Sequence, residues 1–192
     1  RRRDIERAAE GAVRAVFSNA GQLCVSIERL FVADALYDRF VDRLVSRVEA
    51  LSLGAGLSWD IDMGPLVSQD QLDRVTAHVE DAIDKGARVL TGGRARPDLA
   101  PYFFEPTVLE GVTPEMTCFG QETFGPVVSL YRFGDEADAI ARANEVSTAS
   151  TPRSTARTAP GPAGSPGRSR QARSTSTRRS ARPSPAWRRR WA

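Results

Sequence analysis

The sequence is short of the residues that build disulfide frameworks and metal centres. It has two cysteines, Cys24 and Cys118, and a single histidine, His78, in 192 residues. Two thiols in dissimilar surroundings do not make a disulfide framework and fit a reducing, cytoplasmic setting. Without a Cys/His cluster, no structural zinc site or other metal is expected. Lysine is nearly absent: Lys85 stands alone against 26 arginines. No apolar run approaches the ~20 residues of a membrane-spanning helix, so no membrane partner is expected. The opening stretch "RRRDIERAAEGAVRAVF" lacks both an uninterrupted apolar core and a small-residue cleavage site, and is not expected to be a secretory signal.

The sharpest absences fall in residues 147–192. This stretch has no acidic residue and no Val, Ile, Leu, Met, Phe or Tyr; only Trp187 and Trp191 are large and apolar beside 11 arginines. Such a segment cannot bury enough surface to offset its ordering entropy, and is expected to be disordered. Residues 1–146 hold the other 16 basic residues and all 24 acidic ones, a balance of −8, so the overall +3 hides an acidic body and a basic tail. An arginine-rich tail with tryptophans also has the make-up of a nucleic-acid-binding segment. Phosphate contacts alone carry no sequence information, so only non-specific binding is expected of it.

The body alternates helical and extended patterns. Ile5, Ala8, Ala12, Val13 and Val16 recur at helical spacing within residues 4–20. A short strand is predicted over 27–32. A helix follows with Leu36, Phe40, Leu44, Val45 and Val48 on one face, and Asp34 as its N-cap. A glycine-rich loop through Pro65 leads to a second amphipathic helix, capped by Ser68 and closed by Gly86. "ARVLTGG" reads as strand and turn, "YFFEPTVLEGV" as extended, "VVSLYRF" as a strand and "DEADAIARANEV" as a helix. Strands interleaved with helices predict an α/β layered fold with a mostly parallel sheet over residues 1–146.

On composition alone Cys24 is ambiguous, because an isolated cysteine usually packs as a small hydrophobe. The order helix, "SNAGQLC", strand gives it a second reading. The thiol then sits at a glycine-containing turn, where backbone amides can face a reacting carbonyl oxygen. "FSNAGQLC", "LGAGLSWDIDMGPLVS", "YFFEPTVLEGV" and "QETFGPVVSLYRF", in this order and spacing, resemble the catalytic half of an NAD(P)-dependent aldehyde dehydrogenase. The subgroup they resemble is the bacterial succinate-semialdehyde dehydrogenases.

The resemblance implies a three-layer catalytic domain, incomplete at both ends, and NAD or NADP as cofactor. It implies a small aldehyde, succinate semialdehyde, as substrate, and a homo-oligomeric family. Cys24 matches the nucleophile, and its backbone amide one oxyanion donor. Glu122 matches the glutamate that holds the nicotinamide ribose, and Phe124 the aromatic residue lining the nicotinamide. Without the neighbouring "FGP", Glu122 would read as a solvated loop carboxylate and Phe124 as core. The dinucleotide-binding domain, the asparagine completing the oxyanion hole and the glutamate activating water match nothing in this sequence and are expected upstream. These 192 residues alone are therefore expected to be inactive. Cys118 reads as packing, and His78, in mid-helix among polar residues, as exposed. "TGG" at 91–93 reads as a turn, since no following helix presents its N-terminus to a phosphate.

A slipped reading frame near Val146 accounts for the tail. In the shifted frame "STASTPRS" (147–154) permits "VHGLNASV" and "STSTRR" (174–179) permits "VNVNEA". Both strings resemble what the family carries at those distances after the "FGP" loop. The shift also turns serines into Phe, Leu, Ile or Val, which restores a core. Residues 147–192 are read on this basis as a frameshift product.

Overall fold

A computed structural model describes residues 2–56 and 58–145. The expected disorder and frame slip of the tail lie outside these residues. Helix α1 (Arg2–Phe17) leads through a 3-10 turn (Ser18–Gly21) to strand β1 (Arg29–Ala33) and helix α2 (Tyr37–Glu49). After a long loop come α3 (Gln69–Asp84), β2 (Arg88–Thr91), β3 (Thr107–Glu110), the single-turn α4 (Thr117–Gly120), β4 (Val127–Phe133) and α5 (Glu136–Asn144).

Among the described residues, four strands form one sheet in the order β1-β4-β3-β2. β4 pairs in parallel with β1 and with β3, whereas β2 runs antiparallel to β3 with an irregularity between Val89 and Thr91. The expected α/β fold with a mostly parallel sheet is thus what the chain adopts. Residues 127–131 of β4 are buried without interruption, so both faces of the central strand are covered. Helix α1 turns Ile5, Ala9, Ala12, Val13 and Val16 inward and packs along α2, whose buried face is Phe40, Leu44 and Val48. Val108, Leu109 and Val128 are fully buried in the sheet. Burying each side chain of this kind stabilises the fold by about 1.5–3 kcal/mol before entropy is counted.

Local signals at helix starts are partly realised. The Ser68 hydroxyl accepts the Gln71 N–H at 3.2 Å, and the Asp135 carboxylate accepts the Asp138 N–H at 2.9 Å. Asp34 does not cap α2. It opens a 3-10 turn, Asp34–Leu36, with no side-chain cap, and α2 starts at Tyr37. Such tighter turns are common at helix entrances. The turn delivers Tyr37 into the core, where the Arg132 guanidinium lies 3.7 Å from its ring centre.

The first strand begins later than the sequence suggests, at Arg29 instead of Ile27. The Ile27 N–H donates back to the Ala15 carbonyl on α1 at 3.1 Å, and the Glu28 side chain is engaged elsewhere.

His78 is the clearest departure. Expected to be exposed, it is 6% exposed, with Nδ1 3.0 Å from the Thr123 hydroxyl. Its polar neighbours in sequence are not its neighbours in space, because Val75, His78, Val79 and Ala82 share one buried face of α3. Burial, with Arg74 adding to it, pushes the imidazole below its usual range, while Asp81 acts in the opposite direction. The unfolded chain then binds the proton more readily, so stability falls as pH drops through the unfolded histidine value of about 6.5. Denaturant titrations at about pH 7.5 and about pH 5.5 should show the parent weakening toward acid. The same comparison in His78→Gln, which retains a partner for Thr123, should show that loss removed. An equal acid loss in both proteins would refute it.

Candidate active site

The helix that leads to Cys24 ends in an unusual turn. Asn19 (φ 54°), Ala20 (φ 54°) and Gly21 (φ 71°) adopt left-handed conformations in succession. Only glycine does this without penalty, so the turn must be held from outside. The Ser18 hydroxyl donates to the Arg14 carbonyl at 2.6 Å, and Asn19 Nδ2 donates to the Gln22 carbonyl at 3.1 Å. Gln22 ties the turn to the loop before α3: its Oε1 accepts the Val67 N–H at 2.9 Å, and its Nε2 donates to the Asn19 carbonyl at 3.1 Å. Cys24 follows in a tight turn closed by the Ser26 N–H to the Leu23 carbonyl at 2.9 Å, and is exposed.

The second segment is the loop 122–126 that enters β4. Glu122 is exposed, Thr123 is buried, and Phe124 is half-buried with φ 53°. The two segments are nearly a hundred residues apart in sequence, yet parallel pairing joins them. Arg29 pairs with Ser129 at the start of the β1–β4 register, and the Ser129 N–H donates to the Glu28 carbonyl at 2.9 Å. Cys24 and Phe124 each lie five residues before those paired positions. The approach is close enough that a Cβ on Gly21 would sit 2.0 Å from the Gly125 carbonyl oxygen.

The structure therefore brings the segments bearing Cys24, Glu122 and Phe124 together. Cys118 differs from Cys24 in exposure: it is buried in α4, and burial pushes its thiol above the usual range, with Ser129 opposing that shift. This agrees with its reading as packing. Gly92 and Gly93 form the turn expected at 91–93, both with positive φ.

Three residues bear on the site that the motifs do not mark. Glu28 accepts the N–H groups of Thr123 at 3.0 Å and Phe124 at 2.7 Å. Burial raises its carboxyl above the usual range, the two amides oppose that, and nearby Glu122 adds to it. Gln71 donates from Nε2 to the carbonyls of Thr123 and Phe124, each at 2.8 Å. His78 holds the Thr123 hydroxyl. A charged residue between Ile27 and the apolar run of β1 is the one sequence signal for Glu28. Gln71 carries none, and His78 only its helical spacing with Val75, Val79 and Ala82.

Comparison with known proteins bears on this arrangement. The family profile for the aldehyde dehydrogenase family matches residues 1–151. A succinate-semialdehyde dehydrogenase [NADP(+)] of Escherichia coli K12 is 44% identical over 142 residues, covering 74% of this chain and 29% of that protein. A Mycolicibacterium smegmatis protein with the provisional name succinate-semialdehyde dehydrogenase [NADP(+)] is 51% identical over 141 residues, covering 73% and 27%. Among solved structures, a succinate-semialdehyde dehydrogenase from Burkholderia pseudomallei superposes with a TM-score of 0.70 at 41% identity. A betaine aldehyde dehydrogenase from Staphylococcus aureus in complex with NAD+ does so with 0.70 at 34% identity. Each match covers 74% of this chain and 29% of the other. The chain spans less than a third of the length of these relatives. A turn carrying an exposed thiol, a glycine-to-glycine contact with the "ETFGP" loop and the family match all coincide in residues 2–145: this chain belongs to the aldehyde dehydrogenase family.

Proposed function

We propose that this chain supplies the nucleophile and one edge of the nicotinamide site of an aldehyde dehydrogenase acting on succinate semialdehyde. The observation that carries the reading is the contact between the Cys24 turn and the Glu122–Gly125 loop. Cys24 is exposed and follows a turn of three left-handed residues that Gln22 holds in place. Its thiolate would add to the aldehyde carbon, forming a C–S bond while the carbonyl electrons move to oxygen. The Cys24 N–H would donate to that oxygen.

Collapse of this thiohemiacetal expels the hydride and leaves a thioester on Sγ. Attack by water at the same carbon, with its two protons passing to solvent, would then release the carboxylate and restore the thiolate. Bound NAD or NADP would supply the acceptor for the hydride. The residues on the loop suit such a group: exposed Glu122 has a carboxylate that could accept from ribose hydroxyls, and the half-buried Phe124 could lay its ring against a nicotinamide face. Relatives named for NADP and a neighbour holding NAD+ support either form of the cofactor.

Selective thiol chemistry tests the assignment. Cys24 is exposed, whereas Cys118 is 6% exposed and its burial disfavours the reactive thiolate. Limiting iodoacetamide near neutral pH should alkylate Cys24 at least about tenfold faster than Cys118, read by peptide mapping. Faster modification of Cys118 would show that the nucleophile turn is not formed as described.

A further inference from the structure

Glu28 has no part in the chemistry proposed for Cys24, Glu122 and Phe124, yet its carboxylate is spent entirely on their loop. One oxygen accepts the Thr123 N–H and the other the Phe124 N–H. The carbonyls of the same two residues accept from the single side-chain nitrogen of Gln71. Two side chains from different elements, the residue before β1 and the first turn of α3, thus take all four backbone polar groups of the Thr123–Phe124 pair.

The chemistry of each jaw is specific. A carboxylate has two acceptor oxygens and no donor, so it can receive two amides at once; a glutamine in its place would aim an NH2 group at one of them. An amide NH2 is in turn the group that can donate to two carbonyls, which a carboxylate would repel. The geometry that the clamp holds is an uncommon one. Phe124 has φ 53°, a conformation that a non-glycine residue leaves unless its backbone is restrained. Glu28 also lies four residues after Cys24 on the same segment, so the chain that carries the thiol grips the loop that carries Glu122 and Phe124.

We propose that Glu28 and Gln71 form a backbone clamp on Thr123–Phe124, and that Glu28 is a positioning residue that orients Glu122 and Phe124 toward the nicotinamide end of the cofactor. The functional meaning of the clamp rests on the dehydrogenase reading of that loop, whereas the clamp itself is measurable without cofactor. Failure of one is therefore distinguishable from failure of the other, which thiol labelling judges.

Amide hydrogen exchange on the full 192-residue chain, resolved by NMR, tests the proposal. Glu28→Gln should accelerate exchange at Thr123 and Phe124 by about tenfold or more, while amides within β4 such as Val128 and Leu130 stay within about twofold of the parent. Glu28→Asp, which keeps both acceptor oxygens on a shorter stem, should restore part of that protection. Gln71→Leu, which removes the opposite jaw, should produce the same local pattern. Unchanged exchange at Thr123 and Phe124 in Glu28→Gln would overturn the proposal. So would uniform acceleration through β4, or aspartate behaving no better than glutamine, since each marks a general contribution to stability in place of a clamp. Should Glu28→Gln fail to fold, the Glu28→Asp and Gln71→Leu proteins decide by the same criterion.

Discussion

Gly21→Ala is expected to destabilise the chain by about 3 kcal/mol and to open the contact on which the candidate site depends. Two independent costs add. Gly21 has φ +71°, where a Cβ is disfavoured by about 1 kcal/mol. The added Cβ would also lie 2.0 Å from the Gly125 carbonyl oxygen and 2.5 Å from its carbon. These are backbone atoms held by the Val127 N–H to Gly125 carbonyl bond and by the following strand, so they cannot rotate away. Overpacking of this kind costs about 1–3 kcal/mol.

Two other glycines calibrate the expectation. At Gly125 a Cβ would meet Val75 Cγ2 at 2.4 Å, but the backbone there is outside the left-handed region, so the clash stands without the conformational penalty and Gly125→Ala should cost less than Gly21→Ala. Gly11, exposed in mid-α1, has no atom within 4 Å of an added Cβ. Gly11→Ala should therefore stabilise by about 0.5–1 kcal/mol. Urea titration of the three variants gives the order directly. Gly21→Ala matching Gly11→Ala would mean that the two loops do not meet as described.

How far the site is legible in the sequence depends on the range of the interaction. Strand β4 coincides with "VVSLYRF" because a buried central strand announces itself as a continuous apolar run. Helix α3 begins after Ser68 because its cap is a local hydrogen bond. Cys24, Glu122 and Phe124 are marked by motif alone, and the sequence does not say that their segments touch. That follows from the parallel register Arg29↔Ser129, which no local pattern encodes.

His78 and Glu28 fall between these cases. A histidine at helical spacing with Val75, Val79 and Ala82 carries the periodicity of a buried face, but its polar neighbours mask it. Glu28 interrupts an apolar run, and its reason appears only once the amides of Thr123 and Phe124 are placed beside it. The left-handed run Asn19–Gly21 is legible at its glycine and not at Ala20, which is held there by burial at 1% exposure.

The central claim is that Cys24 is the nucleophile of an aldehyde dehydrogenase site whose cofactor edge is Glu122 and Phe124. Its most direct test restores the parts that the relatives possess beyond this chain. Residues 4–145 would replace the corresponding segment of the Mycolicibacterium smegmatis relative, with which the chain shares 51% identity over 141 residues. The chimera is expected to oxidise succinate semialdehyde with NADP+, while the 192-residue chain alone shows no turnover. Cys24→Ser in the chimera should lower kcat/KM by about 10^4-fold or more, because a hydroxyl at that position is neither as ionised nor as good a leaving group as the thiolate. NADP+ binding should stay unchanged. A folded Cys24→Ser chimera that keeps kcat/KM within about tenfold of its parent would contradict the account, since the thiol would then carry none of the chemistry assigned to it.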